Sequence, residues 1–265
     1  MNGLLVPLWA LELGASPFWI GMTVSAGSVL PVFFAISFGT LVDRIGSVRV
    51  LRFCSPALVL LSLMHPLFPS IWILIFLQML FGLLQAANWI AAQTWVAKWS
   101  KKADNKSQVG IFSFFVNAGA FVGPLAVGLL WDVLGPWGAF TGIAGWAAAL
   151  WLVSGIMPQE NGKREPLRWR RFFPDWHDYR KAFALLAVPA VFLVVYGTFL
   201  RLAGYAIQGS FYLVYLDRLN FSTSTISFLY SFLSLAAVFS PLCVPVFTRR
   251  IDERKLLYSS IVLGI

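Results

Sequence analysis

Polar and apolar residues are segregated along this chain into long apolar stretches and short polar segments. A helix needs about 20 mostly apolar residues to cross a bilayer. Residues 17–41, 50–68, 70–97, 108–131, 137–157, 182–216 and 223–247 reach that length. The stretch 182–216 is long enough to be one tilted or broken helix. Residues 3–11 are apolar but too short to cross, and Met1 lacks the basic n-region of a signal peptide, so the pattern predicts the outer end of a truncated span. Another apolar run begins at residue 256 and stops at 265. The pattern predicts an all-α, polytopic transmembrane helical bundle. Counting 3–11 as span 1, it holds part of span 1, spans 2–8 and the start of span 9.

The charges turn this pattern into an orientation. All but two of the 20 Lys and Arg residues fall in four polar segments. These hold Arg44, Arg49 and Arg52; Lys98, Lys101, Lys102 and Lys106; Lys163, Arg164, Arg168, Arg170, Arg171, Arg180 and Lys181; and Arg249, Arg250, Arg254 and Lys255. They follow spans 2, 4, 6 and 8, so alternation puts them all on one side, and loops rich in Lys and Arg stay cytoplasmic. The opposite loops carry Glu12, Asp132, Asp217 and Arg218 and contain turn residues such as Gly14, Pro17, Gly135 and Pro136.

Composition agrees with this reading. The chain is 59% hydrophobic and 12% charged, against about 25% charged for a soluble domain. Its net charge of +9 fits the anionic inner leaflet rather than nucleic acid. Cys54 and Cys243 form no disulfide framework, and His65 and His177 stand alone, so neither a metal site nor a cofactor is implied. The long loop 158–181 reads as a solvated linker whose Trp169, Phe172, Phe173 and Trp176 rest at the headgroup level.

Sliding the chain by 206 residues superimposes Leu13 on Leu219, Ser16 on Ser222, Ile20 on Ile226, Ser25 on Ser231 and Ser28 on Ser234. The register continues through Val32 and Val238, Phe33 and Phe239, Arg44 and Arg250, Ile45 and Ile251, and Leu51 and Leu257. Span 2 and its basic loop thus match span 8 and its basic loop. A six-span repeat without inversion predicts two parallel halves around a central cavity. The expected domains are an N-terminal half at 1–157, a linker at 158–181 and an incomplete C-terminal half at 182–265.

The segment Gly39-Thr-Leu-Val-Asp43-Arg44-Ile-Gly46-Ser-Val-Arg49-Val-Leu51 resembles the loop between spans 2 and 3 of the major facilitator superfamily, and it falls in the corresponding loop. In residue terms, Gly39 allows close helix approach, Gly46 permits a tight turn, and Asp43 with Arg44 and Arg49 supplies latch charges. The resemblance implies a cytoplasmic latch that holds two halves together when the cavity faces outward. The second copy, around Arg249 and Arg250, keeps the basic residues and loses the first Gly and the Asp. In span 5, Gly119, Gly123, Pro124 and Gly128 resemble a glycine-proline element best known among the family's exporters and antiporters. Small residues four apart let helices pack closely in lipid, where Pro can bend a helix. Gln78 and Gly82 in span 4 resemble a third element, with Gln where the family commonly has Arg.

Polar groups inside a membrane are costly and usually face a cavity or a partner. All 11 Asp and Glu residues fall in loops or at span ends, so no span offers a buried carboxylate to carry a proton. The candidate cavity residues are Gln78, Gln85 and Asn88 or Trp89 on one face of span 4, Asn117 in span 5, and Arg201, Tyr205 and Gln208 on one face of span 7. For each neutral group the competing role is a hydrogen bond between helices. Arg201 sits deep in its span, and three readings stay open: pairing with a carboxylate elsewhere, contact with an anionic substrate group, or a position nearer the outer interface.

The resulting expectation is a secondary active carrier working by alternating access, not an enzyme. It would be a monomeric exporter or proton-coupled antiporter of a small organic solute, with an anionic one in view, driven by a proton or ion gradient in a bacterial-type cytoplasmic (inner) membrane. Two alternatives differ in class: a non-transporting membrane receptor or assembly protein on the same scaffold, and an inactive gene fragment. A membrane-embedded enzyme would need a carboxylate, His or metal cluster at depth.

Overall fold

The computed structural model describes residues 2–100, 105–158, 179–180, 183–219, 221–232, 235 and 238–239, with the side chains at 99–100, 105–109, 190, 201, 205–211 and 213 outside that description. Helices are α1 (Asn2–Glu12), α2 (Pro17–Ile45), α3 (Ser47–Leu67), α4 (Ile71–Ser100), α5 (Asn105–Ile156), α6 (Pro189–Arg218) and α7 (Thr223–Phe232), with a 3-10 turn at Leu185–Ala187 before α6. Among the described residues there is no strand. The apolar stretches at 17–41, 50–68 and 70–97 form α2, α3 and α4, with ends shifted by a few residues. Span 7 begins as a turn at Leu185–Ala187 and runs as α6 from Pro189, and the part of span 8 beyond Phe232 lies largely outside the described residues.

Spans 5 and 6 are the two arms of α5. At 52 residues a straight helix would be about 78 Å long, more than twice the hydrocarbon thickness. Gly135 interrupts it with φ +68° and ψ −165°, a conformation open to glycine and strained for other residues. Pro136 then suits the first turn of the second arm. The arms fold back on each other: a Cβ at Gly142 would meet Leu130 and Val127, and one at Gly119 would lie 3.8 Å from Trp146 Cζ2. The same device works at Gly46 (φ +92°), which joins α2 to α3 with no intervening loop.

Because successive helices alternate in direction, the bundle has two distinct ends. One, here the basic end, holds Arg44, Arg49, Arg52 and Lys98. The other, the far end, holds Glu12, the Gly135 break, Asp217 and the start of α7. A large apolar core joins the helices toward the far end: Leu4, Leu8 and Trp9 of α1, Ile20 of α2, Leu58 of α3, Leu77 and Phe81 of α4, Trp131 and Phe140 of α5, Val214 of α6 and Ile226 of α7. A second, smaller core is built from Phe38, Val42, Val50, Leu51, Ala87 and Ala91, and so from α2, α3 and α4.

Between these cores α2 and α4 touch backbone to backbone. A Cβ on Gly82 would overlap the carbonyl of Gly27, so the two glycines remove the side chains that would hold the helices apart, as small residues do in lipid. Around the perimeter Val32, Phe53, Trp72, Leu129, Val133 and Phe199 are exposed. On a water-soluble surface such a girdle would drive aggregation, whereas against acyl chains it is ordinary solvent contact. Some hydroxyls within the helices are satisfied locally, while those of Ser37, Ser227 and Ser231 are buried without a hydrogen-bond partner among the described residues. The hydroxyls of Thr23 and Ser62 donate back to the carbonyls of Trp19 and Leu58, both at 2.8 Å.

Candidate functional site

Helix α4 carries one polar stripe that its neighbours leave uncovered. Gln85, Trp89, Gln93 and Ala97 follow at intervals of four, one above another on the same face, and all four are exposed. The first arm of α5 faces this stripe with Phe112, Ser113, Val116 and Asn117, and the two walls border an open cavity of about 480 Å³, also lined by Val96. The rings of Trp89 and Phe112, 6.1 Å apart at 36°, pack against each other in a tilted contact on the cavity wall. The amides of Gln93 and Asn117 and the hydroxyl of Ser113 add donors and acceptors. Among the described residues that line it, none is charged.

The residues expected at the cavity separate into three groups. Trp89 and Asn117 line it together, and Gln85 lies one turn deeper on the same stripe. Gln78 and Asn88 are buried instead in helix contacts: Asn2 Nδ2 donates to Gln78 Oε1 at 3.1 Å, and Asn88 Nδ2 donates to Ser55 Oγ at 3.3 Å. Arg201, Tyr205 and Gln208 are in α6, with side chains outside the described residues. Gln93, Phe112 and Ser113 were missed by sequence reasoning. For Gln93 the signal was present, since it continues the four-residue interval from Trp89, whereas nothing in the sequence of α5 singles out Phe112.

At the basic end, the Asp43 carboxylate of α2 lies 3.7 Å from the Lys98 ammonium of α4, with Asp43 largely exposed. Arg44 and Arg49 are half-buried. Gly46 makes the tight turn, but among the described residues a Cβ at Gly39 would meet nothing within 4 Å. The close approach expected at Gly39 occurs at Gly27 and Gly82. Arg52, from the next turn of α3, donates from Nε to the Ser154 carbonyl at 2.9 Å and from a terminal nitrogen to the Gly155 carbonyl at 2.8 Å. A cation on the last carbonyls of a helix satisfies orphan acceptors and opposes the macrodipole.

The far end is held differently. Asp132 of α5 accepts the backbone N–H of Ser224 at 3.0 Å and the Ser224 hydroxyl, capping the first turn of α7. One turn deeper, a Cβ on Gly128 would overlap the Ser227 side chain, so the last glycine of the glycine-proline element is where α5 and α7 meet. Gly123 and Pro124 are buried beside it. Glu12, at the end of α1, has its carboxyl pushed above the ordinary range, by partial burial first and by the negative charge of Asp217 second.

His65 is buried in the far core, stacked on Phe140 with centroids 5.1 Å apart. Its Nδ1–H donates to the Leu61 carbonyl at 2.7 Å. Among the described residues no group of three His, Cys, Asp or Glu side chains could hold a metal.

The family model described as Major Facilitator Superfamily matches residues 1–265, the same span over which the bundle and its loops were read. The chain belongs to the major facilitator superfamily. No curated protein matches it. As a major facilitator superfamily protein it is a multi-pass membrane protein and a secondary transporter of small solutes, built as a helical bundle. Members of the superfamily are transporters rather than enzymes.

Proposed function

We propose that this carrier exports a small organic solute, or exchanges it for protons, across a bacterial-type cytoplasmic membrane by alternating access. In this reading residues 1–157 and 182–265 form two helical halves, joined by 158–181, that rock about a central path. The basic end faces the cytoplasm, and the protein works as a monomer. The observation that carries the reading is the contrast between the two ends. α5 and α7 are clasped at the far end through Asp132, Ser224 and Gly128, while the basic end holds an open cavity between α4 and α5. That is the arrangement of a carrier open to the cytoplasm, ready to load an outgoing solute. The starts of α2 at Pro17 and α7 at Thr223 keep the 206-residue register, which supports the two-half description. The glycine-proline element supports export because its Gly128 sits at the seam that such a cycle must open.

The test is flux in inverted vesicles containing the protein, with and without an imposed pH gradient. Gradient-dependent accumulation of a solute, with matching proton release, is the expected result. Equal accumulation in vesicles containing the Gly128→Leu variant would remove the far-end seam from the cycle. Arg201→Ala and Arg201→Lys address the remaining polar position: in this reading Arg201 lines the path, and the Ala variant loses flux that Lys partly restores.

A further inference from the structure

The seam between α5 and α7 carries two polar groups that the shut far end leaves unused. In the carrier reading, on which this inference rests, the two helices belong to different halves. Asp132 accepts from Ser224, and a Cβ on Gly128 would overlap the Ser227 side chain. That antiparallel register puts Ser231, one turn further along the same face of α7, level with Pro124. Ser227 and Ser231 are fully buried, and neither hydroxyl has a hydrogen-bond partner among the described residues. A helical Ser or Thr can bond back to a carbonyl three or four residues earlier, and Thr23, Ser62, Thr141 and Ser154 do so in this bundle. The two seam serines do not.

A hydroxyl left buried and unpaired costs free energy in the shut state alone. Once α5 and α7 part, water or a passing solute can bond to both groups, and that cost disappears. Gly128 makes the difference large, because it brings the α5 backbone close enough to strip Ser227 of water. Ser37 and Ser47 also carry orphaned hydroxyls, but on α2 and α3, two helices of one half, and toward the basic end. We infer that Ser227 and Ser231 line the outward path, their hydroxyls bare when the far end is shut and bonded to water or solute when it opens. The pair thereby biases the seam toward opening.

Ser231 lies about 12 Å along α7 from its start at Thr223, so a charged reagent reaches it only through a water-filled path. The full chain carrying Cys54→Ser, Cys243→Ser and Ser231→Cys is treated in right-side-out vesicles with the impermeant anion (2-sulfonatoethyl) methanethiosulfonate, and thermal unfolding confirms that every variant is folded. Labelling is expected, at a rate that follows the fraction of time the seam is open. Adding Ser227→Ala removes one bare hydroxyl and slows labelling at least about fivefold, the low end of the cost of such a group. Adding Gly128→Leu speeds it about tenfold, through overpacking that opening relieves. Adding Ser37→Ala leaves the rate unchanged. Absence of labelling even with Gly128→Leu overturns the inference. So does a rate that Ser227→Ala leaves unchanged or raises, or that Ser37→Ala slows equally.

Solute flux in inverted vesicles is scored separately. Labelling that answers to Ser227→Ala in a chain without flux upholds the path-lining serines and removes the carrier reading. Flux in a chain whose Ser231→Cys thiol is never labelled removes the inference and leaves the carrier.

Discussion

The two ends of this bundle solve the same problem, holding helices together, by different chemistry. At the far end the contact is direct and short in range: a glycine against a serine, a carboxylate on a helix N-terminus, and a core to which all seven helices contribute. At the basic end the apolar core shrinks to three helices, and links among the described residues include the Asp43–Lys98 charge pair and the hydrogen bonds from Arg52 to the carbonyls that end α5. Packed apolar contact excludes water and is bistable, so it suits an end that is either shut or open. Charge pairs in partial solvent are individually weak and suit an end that must be reversible at small cost.

The sharpest way to break this comparison is to overfill the far-end seam. Gly128→Leu places a side chain where Ser227 already sits, and overpacking of this kind costs about 1–3 kcal/mol. The expected outcome is a far end held apart, read as a longer distance between spin labels at Leu134→Cys and Leu219→Cys in a chain whose Cys54 and Cys243 are replaced by Ser. An unchanged distance would mean that the seam tolerates bulk and is not the closing surface.

Asp132→Ala acts at the same end through hydrogen bonds alone. Losing a helix cap costs about 0.5–2 kcal/mol, so the same distance is expected to broaden toward longer values without full separation, and Asp132→Asn should fall in between. A distribution identical to the parent's would show that the Ser224 contact follows closure rather than supporting it.

Arg52→Ala tests the basic end. It removes two charge-assisted bonds from the end of α5, and about 1–2 kcal/mol of stability is expected to go with them. Thermal unfolding should shift down while the far-end distance stays the same. A change in the far-end distance would show that the two ends are coupled through α5 rather than independent.

Glu12→Gln is the smallest perturbation. Burial and Asp217 raise the Glu12 carboxyl above its ordinary 4.5, so the folded far end binds this proton more tightly than the free chain does. Its favourable contribution is complete below pH 4.5 and is lost as pH rises through the raised value. Acidification from pH 7 toward 4.5 should therefore tighten the far-end distance slightly, and Glu12→Gln should flatten that response. An equal pH response in the variant would assign it to another group.

Much of the bundle is legible in the amino-acid sequence because lipid solvent imposes one rule on every span: backbone groups must bond internally over about 20 residues. That rule locates α2, α3 and α4 to within a few residues, and Gly46 announces its own turn because few other residues accept its φ. The break in α5 falls at Gly135, where a loop was expected, since composition cannot distinguish a short turn from a single glycine that reverses the chain. The site is less legible. Periodicity puts Gln78, Gln85 and Trp89 on one face of α4, but it does not say which neighbour covers that face at each depth. Asn2 covers Gln78, and Ser55 engages Asn88, while Gln85, Trp89 and Gln93 are left open.

What the sequence alone determined is whatever depends on one helix and its solvent: that the chain spans a membrane and roughly where its helices run. What only the tertiary structure decided is whatever depends on two helices at once. Gly82 matters because Gly27 is opposite it, Gly128 because Ser227 is, and Trp89 because Phe112 packs against it. Pairing of this kind is set by helix rotation and separation, and these follow from the summed packing of every neighbour rather than from any local pattern.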